Sequence, residues 1–195
     1  MIKNKIEALV ARFQEAKANG RLENSSEATM RAWIDELLSI FGWNVQNTHE
    51  VLTEHSLGKE EKKKLHAIGS TNTRPDYTLV NGKILMTFVD AKSLAVNIEN
   101  DKDVAFQIRS YGWSIGAPFS IVTNFEQLAI YDCSTMPSVN DDAAFGRYLY
   151  ITCDEFIDKI EILESFLLRQ NIIADRKSTR LNSSHITRSR MPSSA

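Results

Sequence analysis

The chain has 195 residues, 43% of them hydrophobic and 25% charged, with a formal net charge of −2. This is an ordinary globular composition, with length for one domain and its core. No apolar run approaches the roughly 18 residues of a membrane helix, and residues 1–13 alternate charged and apolar residues, unlike a secretory signal. Cys133 and Cys153 form no CxxC or Cys/His cluster, which disfavours structural zinc and favours a reducing, cytoplasmic setting without a membrane partner.

Residues 175–195 differ from the rest of the chain, because they are rich in Ser and Arg and have no apolar period. They look like the translation of sequencing-adapter DNA, so we interpret them as a non-native, disordered tail; a natural basic tail is the alternative. The tail holds five basic residues and one acidic residue, and without them the formal net charge changes from −2 to −6. We therefore expect the native protein to continue differently after residue 174.

The amino-terminal part of the chain is predicted to form two helices. The apolar period places the first over residues 1–19, as an N-terminal segment, 1–20, ahead of a main domain at 21–174. The second follows a capping cluster at Asn24–Ser26 and covers about 27–41. Both helices carry an apolar stripe and are expected to pack on a core.

The rest of the chain is predicted to alternate strands with helices. A short strand is expected at 43–45. The stretch 48–72 is polar and is expected to be the least ordered part of the domain, with its charged run at 59–64 forming a solvated loop or a short helix. The later elements are hairpin strands at about 75–80 and 83–91, a helix at 100–116, strands at 119–124, 127–132 and 148–151, and a helix from the capping box 152–155 to about 171. This order predicts a mixed sheet with helices packed on it, in the α/β class.

Three charged residues flank the hairpin that an Asn-Gly pair predicts. Asp76 begins the first strand, and Asp90 and Lys92 end the second, where a spacing of two puts them on one face. Strict two-residue pairing would oppose Asp76 to Thr87 and turn it away from Asp90. We therefore predict an odd-length loop or a β-bulge between the two aspartates, because either one would put both side chains on the same face of the sheet.

Two carboxylates beside a lysine suit the hydrolysis of a phosphodiester. The carboxylates would hold Mg²⁺, which prefers oxygen ligands and lowers the pKa of a bound water. The lysine would orient that water or stabilise developing negative charge. The alternative is a surface hairpin with ordinary charges, since this spacing also arises by chance.

Side chains from two predicted helices can join this group. Gln107 and Tyr111 are four residues apart, so they share a helical face, and both can hydrogen-bond to phosphate. Glu27 begins the second helix and could supply a third carboxylate, with Arg31 one turn later to hold it or a phosphate. The alternatives are packing on the sheet for the first pair and a helix-dipole interaction for Glu27.

The remaining candidates carry less chemistry. Arg109 and Lys102 are either DNA contacts or helix surface. The histidines of the polar loop lack metal-ligand spacing and are interpreted as solvated: His49, His55 and His66. The tryptophans are interpreted as core: Trp33, Trp43 and Trp113. No Gly-rich phosphate loop and no GxSxG motif is present in the sequence.

Together these motifs resemble a known family. Pro75-Asp76, Asp90-Ala91-Lys92 and Gln107-x-x-x-Tyr111 resemble the PD-(D/E)XK nuclease superfamily. Over about residues 20–171 the chain also looks like the N-terminal cleavage domain of type IIG restriction–modification enzymes, a relative of the N-terminal domain of type I restriction subunits. The segments that carry this likeness are Ser26–Arg31, Phe41–Trp43, Arg74–Tyr77, Phe88–Lys92, Ala105–Ser114, Ile121–Phe125 and Ala129–Asp132.

The resemblance implies a restriction-endonuclease-like mixed sheet flanked by helices. It also implies a site-specific, type II or type I-like restriction endonuclease that cuts double-stranded DNA with Mg²⁺, for which Mn²⁺ could substitute. In that family pattern the metal residues would be Asp76, Asp90 and Glu27, while Lys92 would serve the nucleophilic water. Gln107 and Tyr111 would help to position the scissile strand. The DNA-binding residues would be Arg31, Arg74, Gln107, Arg109 and Tyr111.

The resemblance implies partner domains as well. Methyltransferase and target-recognition domains would lie in the same full-length chain or in separate subunits, and this sequence lacks them. Position 90 is Asp where these relatives more often have Glu, and the shorter side chain would shift the metal. A net charge of −6 suits a cleavage module that other domains deliver to DNA, because phosphate contacts supply most non-specific affinity. Two alternatives stay open: a catalytically inactive DNA-binding or docking module, and an unrelated α/β ligand-binding protein.

Overall fold

Six β-strands form one sheet in the computed structural model, which describes residues 1–174. The strands follow one another across the sheet in chain order: β1 Val51–Thr53, β2 Tyr77–Asn81, β3 Ile84–Ala91, β4 Phe119–Thr123, β5 Gln127–Asp132 and β6 Arg147–Thr152. Neighbouring strands are antiparallel except β3 and β4, which are parallel. The expected tail at 175–195 lies outside the described residues.

Helices lie on both faces of this sheet. They are α1 Ile2–Ala18, α2 Glu27–Ile40, α3 Lys59–Ala67, α4 Lys102–Ile115 and α5 Ile160–Leu167. Parallel strands require a crossover connection, and α4 provides it between β3 and β4. Within residues 1–174, no helix is long and apolar enough to cross a membrane.

Side chains of alternate strand residues point to opposite faces of the sheet and contribute to two apolar cores, one on each face. On one face, α1, α2 and α5 pack over strand residues that include Val89 and Ile121. On the other face, α3 and α4 pack over Phe88 and Val122, which are sequence neighbours of Val89 and Ile121 and therefore point to the opposite side of the sheet. The predicted restriction-endonuclease-like α/β architecture, a mixed sheet flanked by helices, is therefore confirmed.

The β2–β3 hairpin contains the predicted break in pairing. Asn81 pairs with Ile84, so the loop consists of Gly82 and Lys83, and Val80 pairs with Leu85. The register then shifts between Leu79 and Val80, so that Leu79 pairs with Thr87 and Tyr77 with Val89. Met86 is the extra residue of a β-bulge, and the pairing extends to bring Asp76 level with Asp90. The predicted β-bulge between the two aspartates is therefore confirmed. The loop lies one residue later than the Asn-Gly pair suggested.

Two predicted elements differ from the structure. No strand forms at 43–45; the buried Trp43 instead donates its indole N–H to the carbonyl of Leu167 at 2.8 Å, and the first strand is β1. The carboxyl-terminal helix is not continuous from the capping box, because a 3₁₀ turn at Cys153–Glu155 precedes α5. Apolar residues near a core do not by themselves distinguish strand from coil.

Candidate active site

The hairpin brings two carboxylates and a lysine together at one end of β3. Asp76 and Asp90 are both buried, with 8% and 2% of their surface exposed. Asp76 Oδ2 accepts a hydrogen bond from the backbone N–H of Ala91 at 2.7 Å, which fixes it beside the strand that carries Asp90. Lys92 Nζ donates to Asp90 Oδ2 at 2.5 Å. The bulge at Met86 is what allows this meeting, because it restores the common face.

Helix α4 adds an amide and a hydroxyl to the lysine. Lys92 Nζ lies 3.3 Å from Gln107 Oε1, to which it donates, and Gln107 Nε2 donates to the hydroxyl oxygen of Tyr111 at 3.1 Å. The two α4 residues lie on one helical face, as their spacing predicts. The lysine is thus held between the carboxylate of Asp90 and the amide of Gln107.

Helix α2 brings an arginine and a third carboxylate to the same place. Ser26 caps the helix by accepting from the backbone N–H of Thr29, so Glu27 begins it and Arg31 follows one turn later. Arg31 pairs with Asp76 Oδ1 through Nη2, which also lies 3.4 Å from Glu27 Oε1. Its Nη1 donates to Glu54 Oε1 at 2.6 Å.

Most of these side chains, but not Arg31 or Glu54, line a polar cavity of about 340 Å³. Its walls are formed by Glu27, Thr71, Asn72, Thr73, Arg74, Asp76, Asp90, Lys92, Gln107 and Tyr111. Six of these residues are the predicted catalytic set in full, and the exposed Arg74 is a predicted DNA contact. Residues that lie far apart in the sequence therefore converge on one concave surface, as an active site requires.

Burial and charge shift two groups of the cavity away from their ordinary protonation behaviour. Burial, with a smaller contribution from the charges of Asp76 and Glu27, raises the pKa of Asp90 to about 7, while Lys92 opposes the rise. Burial and the charge of Asp90 also raise the pKa of the Tyr111 hydroxyl above its usual range. Strongly perturbed groups in a cleft are typical of functional sites.

The oxygen donors of the cavity suit a hard divalent cation. Mg²⁺ is commonly held by one or two carboxylates and keeps several waters, and Asp76 and Asp90 supply such a pair. Within residues 1–174, no three His, Cys, Asp or Glu side chains are spaced as a ready metal site. One oxygen of Asp76 is paired with Arg31. Asp76 and Asp90 would hold the ion, and Glu27 remains a predicted third ligand.

Two predicted DNA-binding residues, Arg31 and Arg109, do not line the cavity, and Arg109 lies away from it in a contact with the β5–β6 loop. Arg109 is 1% exposed. Its Nη1 pairs with Asp141 Oδ2 at 2.5 Å, and its guanidinium lies 4.7 Å from the ring centroid of Phe145. This position anchors the β5–β6 loop and gives the arginine no path to a phosphate, so we remove Arg109 from the DNA-binding set.

Several other residues lie outside the cavity. Lys102 is exposed at the start of α4, and all three predicted solvated histidines are exposed: His49, His55 and His66. Of the predicted core tryptophans, Trp43 is buried and the other two are half-buried: Trp33 and Trp113. None of these residues lines the cavity.

Sequence reasoning missed Glu54 and the rim residues Thr71 to Thr73. Glu54 holds Arg31 and has a φ of +48°, an uncommon backbone conformation for a residue other than glycine. It lies in the polar stretch 48–72, where no local pattern distinguishes one glutamate from another. Only the path of the chain after β1 identifies it.

Comparison with known proteins gives one relevant likeness. The chain is 28% identical over 172 residues to the Type II restriction enzyme and methyltransferase RM.Eco57I of Escherichia coli. The match covers 87% of this chain but 17% of the relative, so the chain spans about a sixth of that protein's length. No protein-family model matches the chain, and no solved structure matches it.

Proposed function

We propose that this chain is the nuclease module of a DNA restriction–modification enzyme, and that it hydrolyses DNA phosphodiester bonds with Mg²⁺. The observation that carries the proposal is the convergence of Asp76, Asp90 and Lys92 in one cavity with Gln107 and Tyr111. The likeness to a restriction enzyme and methyltransferase supports the biological setting. The proposal places the chain in the PD-(D/E)XK superfamily and makes its DNA substrate double-stranded.

Each side chain has a distinct part in the proposed reaction. Asp76 and Asp90 would hold the ion, which when bound neutralises phosphate charge and makes water more acidic. Lys92 donates to Asp90 and Gln107 and still has a third proton, with which it can orient the attacking water or stabilise charge on the phosphate. Arg74, exposed at the rim, can pair with a neighbouring phosphate.

The negative charge of the chain shapes how the module would reach DNA. Residues 1–174 carry an excess of acidic side chains, so the module alone has little of the electrostatic attraction that drives non-specific DNA binding. We propose that target-recognition and methyltransferase domains, in the same full-length protein or as subunits, bring the cavity to DNA. Joining two binding modules raises the effective concentration of the second without new contacts.

A tethered cleavage assay tests the proposal. The chain is fused through a flexible linker to a DNA-binding domain of known site, and cleavage of a plasmid with that site is followed with Mg²⁺, with Mn²⁺ and with EDTA. We expect cuts near the site with either metal and none with EDTA. Lys92→Ala should reduce the rate at least about a hundredfold, since it removes a group that acts on the reacting atoms.

The control variant removes the same kind of side chain, a lysine, at a position outside the cavity. Lys63→Ala removes an exposed lysine that pairs with Glu60 on α3, and it should cut like the parent. Unchanged cleavage by Lys92→Ala would refute the role assigned to that residue. A fusion that occupies its site but never cuts under any metal condition would favour the inactive DNA-binding or docking module instead.

A further inference from the structure

Arg31 lies among three carboxylates, of which Asp76 and Glu27 line the cavity. Its Nη2 pairs with Asp76 Oδ1 and approaches Glu27 Oε1 at 3.4 Å, while its Nη1 donates to Glu54 Oε1 at 2.6 Å. The side chain of Arg31 is 25% exposed and that of Asp76 is 10% exposed. Desolvation opposes its charge, but the hydrogen bond to Glu54 and the charge of Asp76 raise the pKa of Arg31 above its usual value. The guanidinium therefore stays cationic.

A divalent cation and Arg31 compete for the same carboxylate. Asp76 Oδ2 already accepts from the N–H of Ala91, and Oδ1 faces the guanidinium. A metal ion on Asp76 would stand within a few ångströms of a second positive charge, where the two repel strongly in a partly buried site. The contact with Arg31 therefore disfavours metal binding at Asp76, and a bound metal disfavours the contact.

Two features favour displacement of Arg31 from this position. Its Nε is buried without a hydrogen-bond partner among the described residues, so the arrangement leaves one donor unsatisfied. Glu54, whose side chain is 60% exposed, provides a second anion towards the outside of the cavity. The backbone of Glu54 is in the left-handed region, and its N–H donates to the carbonyl of Asp76 at 2.9 Å, which fixes it beside the metal residue. Such a conformation persists where the surrounding structure imposes it.

We propose that Arg31 is a displaceable counter-ion of Asp76, which a divalent cation replaces, and that Glu54 retains the guanidinium once it is displaced. This inference rests on the proposed metal-dependent function. It explains how the buried Asp76 remains paired when no metal is bound. In this scheme Arg31 and Glu54 are positioning residues that set the affinity for the metal.

Calorimetric titration with Mn²⁺ measures the effect directly, on the whole 195-residue chain and without DNA. We expect Arg31→Gln to lower the dissociation constant for Mn²⁺ about tenfold, because the cation no longer displaces a paired guanidinium. Arg74→Gln removes the same charge from the lining of the cavity, where Arg74 pairs with no carboxylate of residues 1–174, and it should change the dissociation constant less than about threefold. Asp90→Asn should abolish binding, which locates the ion in this cavity.

A second pair of variants tests Glu54 and guards against misfolding. Arg31→Lys keeps a cation for Asp76 but lacks the fork that spans both anions, so it should bind Mn²⁺ with intermediate affinity. Glu54→Gln should weaken binding in the wild type but have little effect in the Arg31→Gln background, since Glu54 acts through Arg31. Equal weakening in both backgrounds would mean that Glu54 acts only by its charge, and would overturn its retaining role.

The remaining outcomes separate this inference from the function on which it rests. If the wild type binds Mn²⁺ and Arg31→Gln binds it no tighter, or no tighter than Arg74→Gln, the counter-ion role is wrong while the metal site stands. If neither the wild type nor the Arg31 variants bind Mn²⁺, the metal-dependent function falls, and the counter-ion role falls with it.

Discussion

Lys92 donates a hydrogen bond to Asp90 at 2.5 Å, and the carboxylate that receives it is almost completely buried. A spacing of two residues at the end of β3 puts both side chains on the same face of the sheet. Among the described residues, Lys92 is the one cation in direct contact with the carboxylate of Asp90. The nearby carboxylates of Asp76 and Glu27 oppose the ionisation of Asp90. The protonation of Asp90 is therefore finely balanced.

This balance predicts how the metal-free protein responds to pH. Burial raises the pKa of Asp90 from 3.8 to about 7 in the folded protein. Between these values the folded state holds a proton that the unfolded chain has released, so rising pH lowers the free energy of unfolding. The contribution is fully present below about pH 4 and is lost as the pH rises through about 7, by up to about 4 kcal/mol.

Urea unfolding in EDTA from pH 4.5 to 8 measures this dependence. Asp90→Asn, which cannot ionise, should flatten the profile, whereas Asp158→Asn at an exposed position should leave it unchanged. Since Mn²⁺ binds the ionised carboxylate, its affinity should rise over the same pH range. Parallel pH profiles for the wild type and Asp90→Asn would contradict the raised pKa.

The contact from Lys92 to Gln107 predicts a role for the α4 amide in holding the lysine. Gln107→Ala removes an acceptor 3.3 Å from Lys92 Nζ, and should lower the single-turnover cleavage rate of the tethered chain about ten- to a hundredfold at saturating DNA. Tyr111→Phe removes only the hydroxyl that Gln107 contacts, so its effect should be smaller. A loss confined to DNA affinity would indicate that both residues bind the strand instead.

A surface glutamine provides the control for this series. Gln14 Nε2 donates to Asp154 Oδ1 at 2.6 Å, on α1 and remote from the cavity. Gln14→Ala removes the same kind of group and should leave the cleavage rate unchanged. An equal loss in this variant would point to general instability of the chain.

Local sequence predicts some features of this site and misses others for identifiable reasons. The helix spacing of Gln107 and Tyr111 and the parity of the hairpin depend on short-range geometry, so both could be predicted. Met86 could not be named as the bulged residue, since many positions satisfy the same parity. The Arg31–Glu54 pair spans 23 residues and depends on the path of a polar loop. The burial of Arg109 depends on the β5–β6 loop, whose sequence has no periodic pattern.

At Gly112, α4 lies so close to the sheet that there is no space for a side chain. A Cβ at this position would lie 2.4 Å from both Cys133 Sγ and Ser120 Oγ, inside the contact limit for buried atoms. Gly112→Ala should therefore destabilise the protein by about 1–3 kcal/mol despite the better helix propensity of alanine, because the packed strands cannot yield freely. Displacement of α4 would also move Gln107 and slow cleavage. Urea unfolding and the tethered assay measure the two effects.

Gly58 offers the matched control for this substitution. A Cβ at Gly58 would also approach within 2.4 Å of a neighbour, but that neighbour is the carboxylate end of Glu61, which can rotate away. Gly58 is the N-cap of α3, where alanine is less favourable than glycine, so Gly58→Ala should lower the free energy of unfolding by no more than about 1 kcal/mol. Equal costs at the two glycines would contradict the close packing of α4.

The position of Arg109 predicts a stabilising role in place of DNA contact. Asp141→Asn would leave a 1% exposed guanidinium without its carboxylate, and should lower the free energy of unfolding by about 3 kcal/mol. Asp142→Asn, at the exposed neighbouring position, keeps an oxygen for the N–H of Ala144 and should cost little. Urea unfolding measures both variants.

DNA affinity of the tethered chain, measured by fluorescence anisotropy with Ca²⁺, should be the same for both variants and the wild type. Weaker DNA binding by Asp141→Asn at a temperature where it remains folded would return Arg109 to the DNA-binding surface.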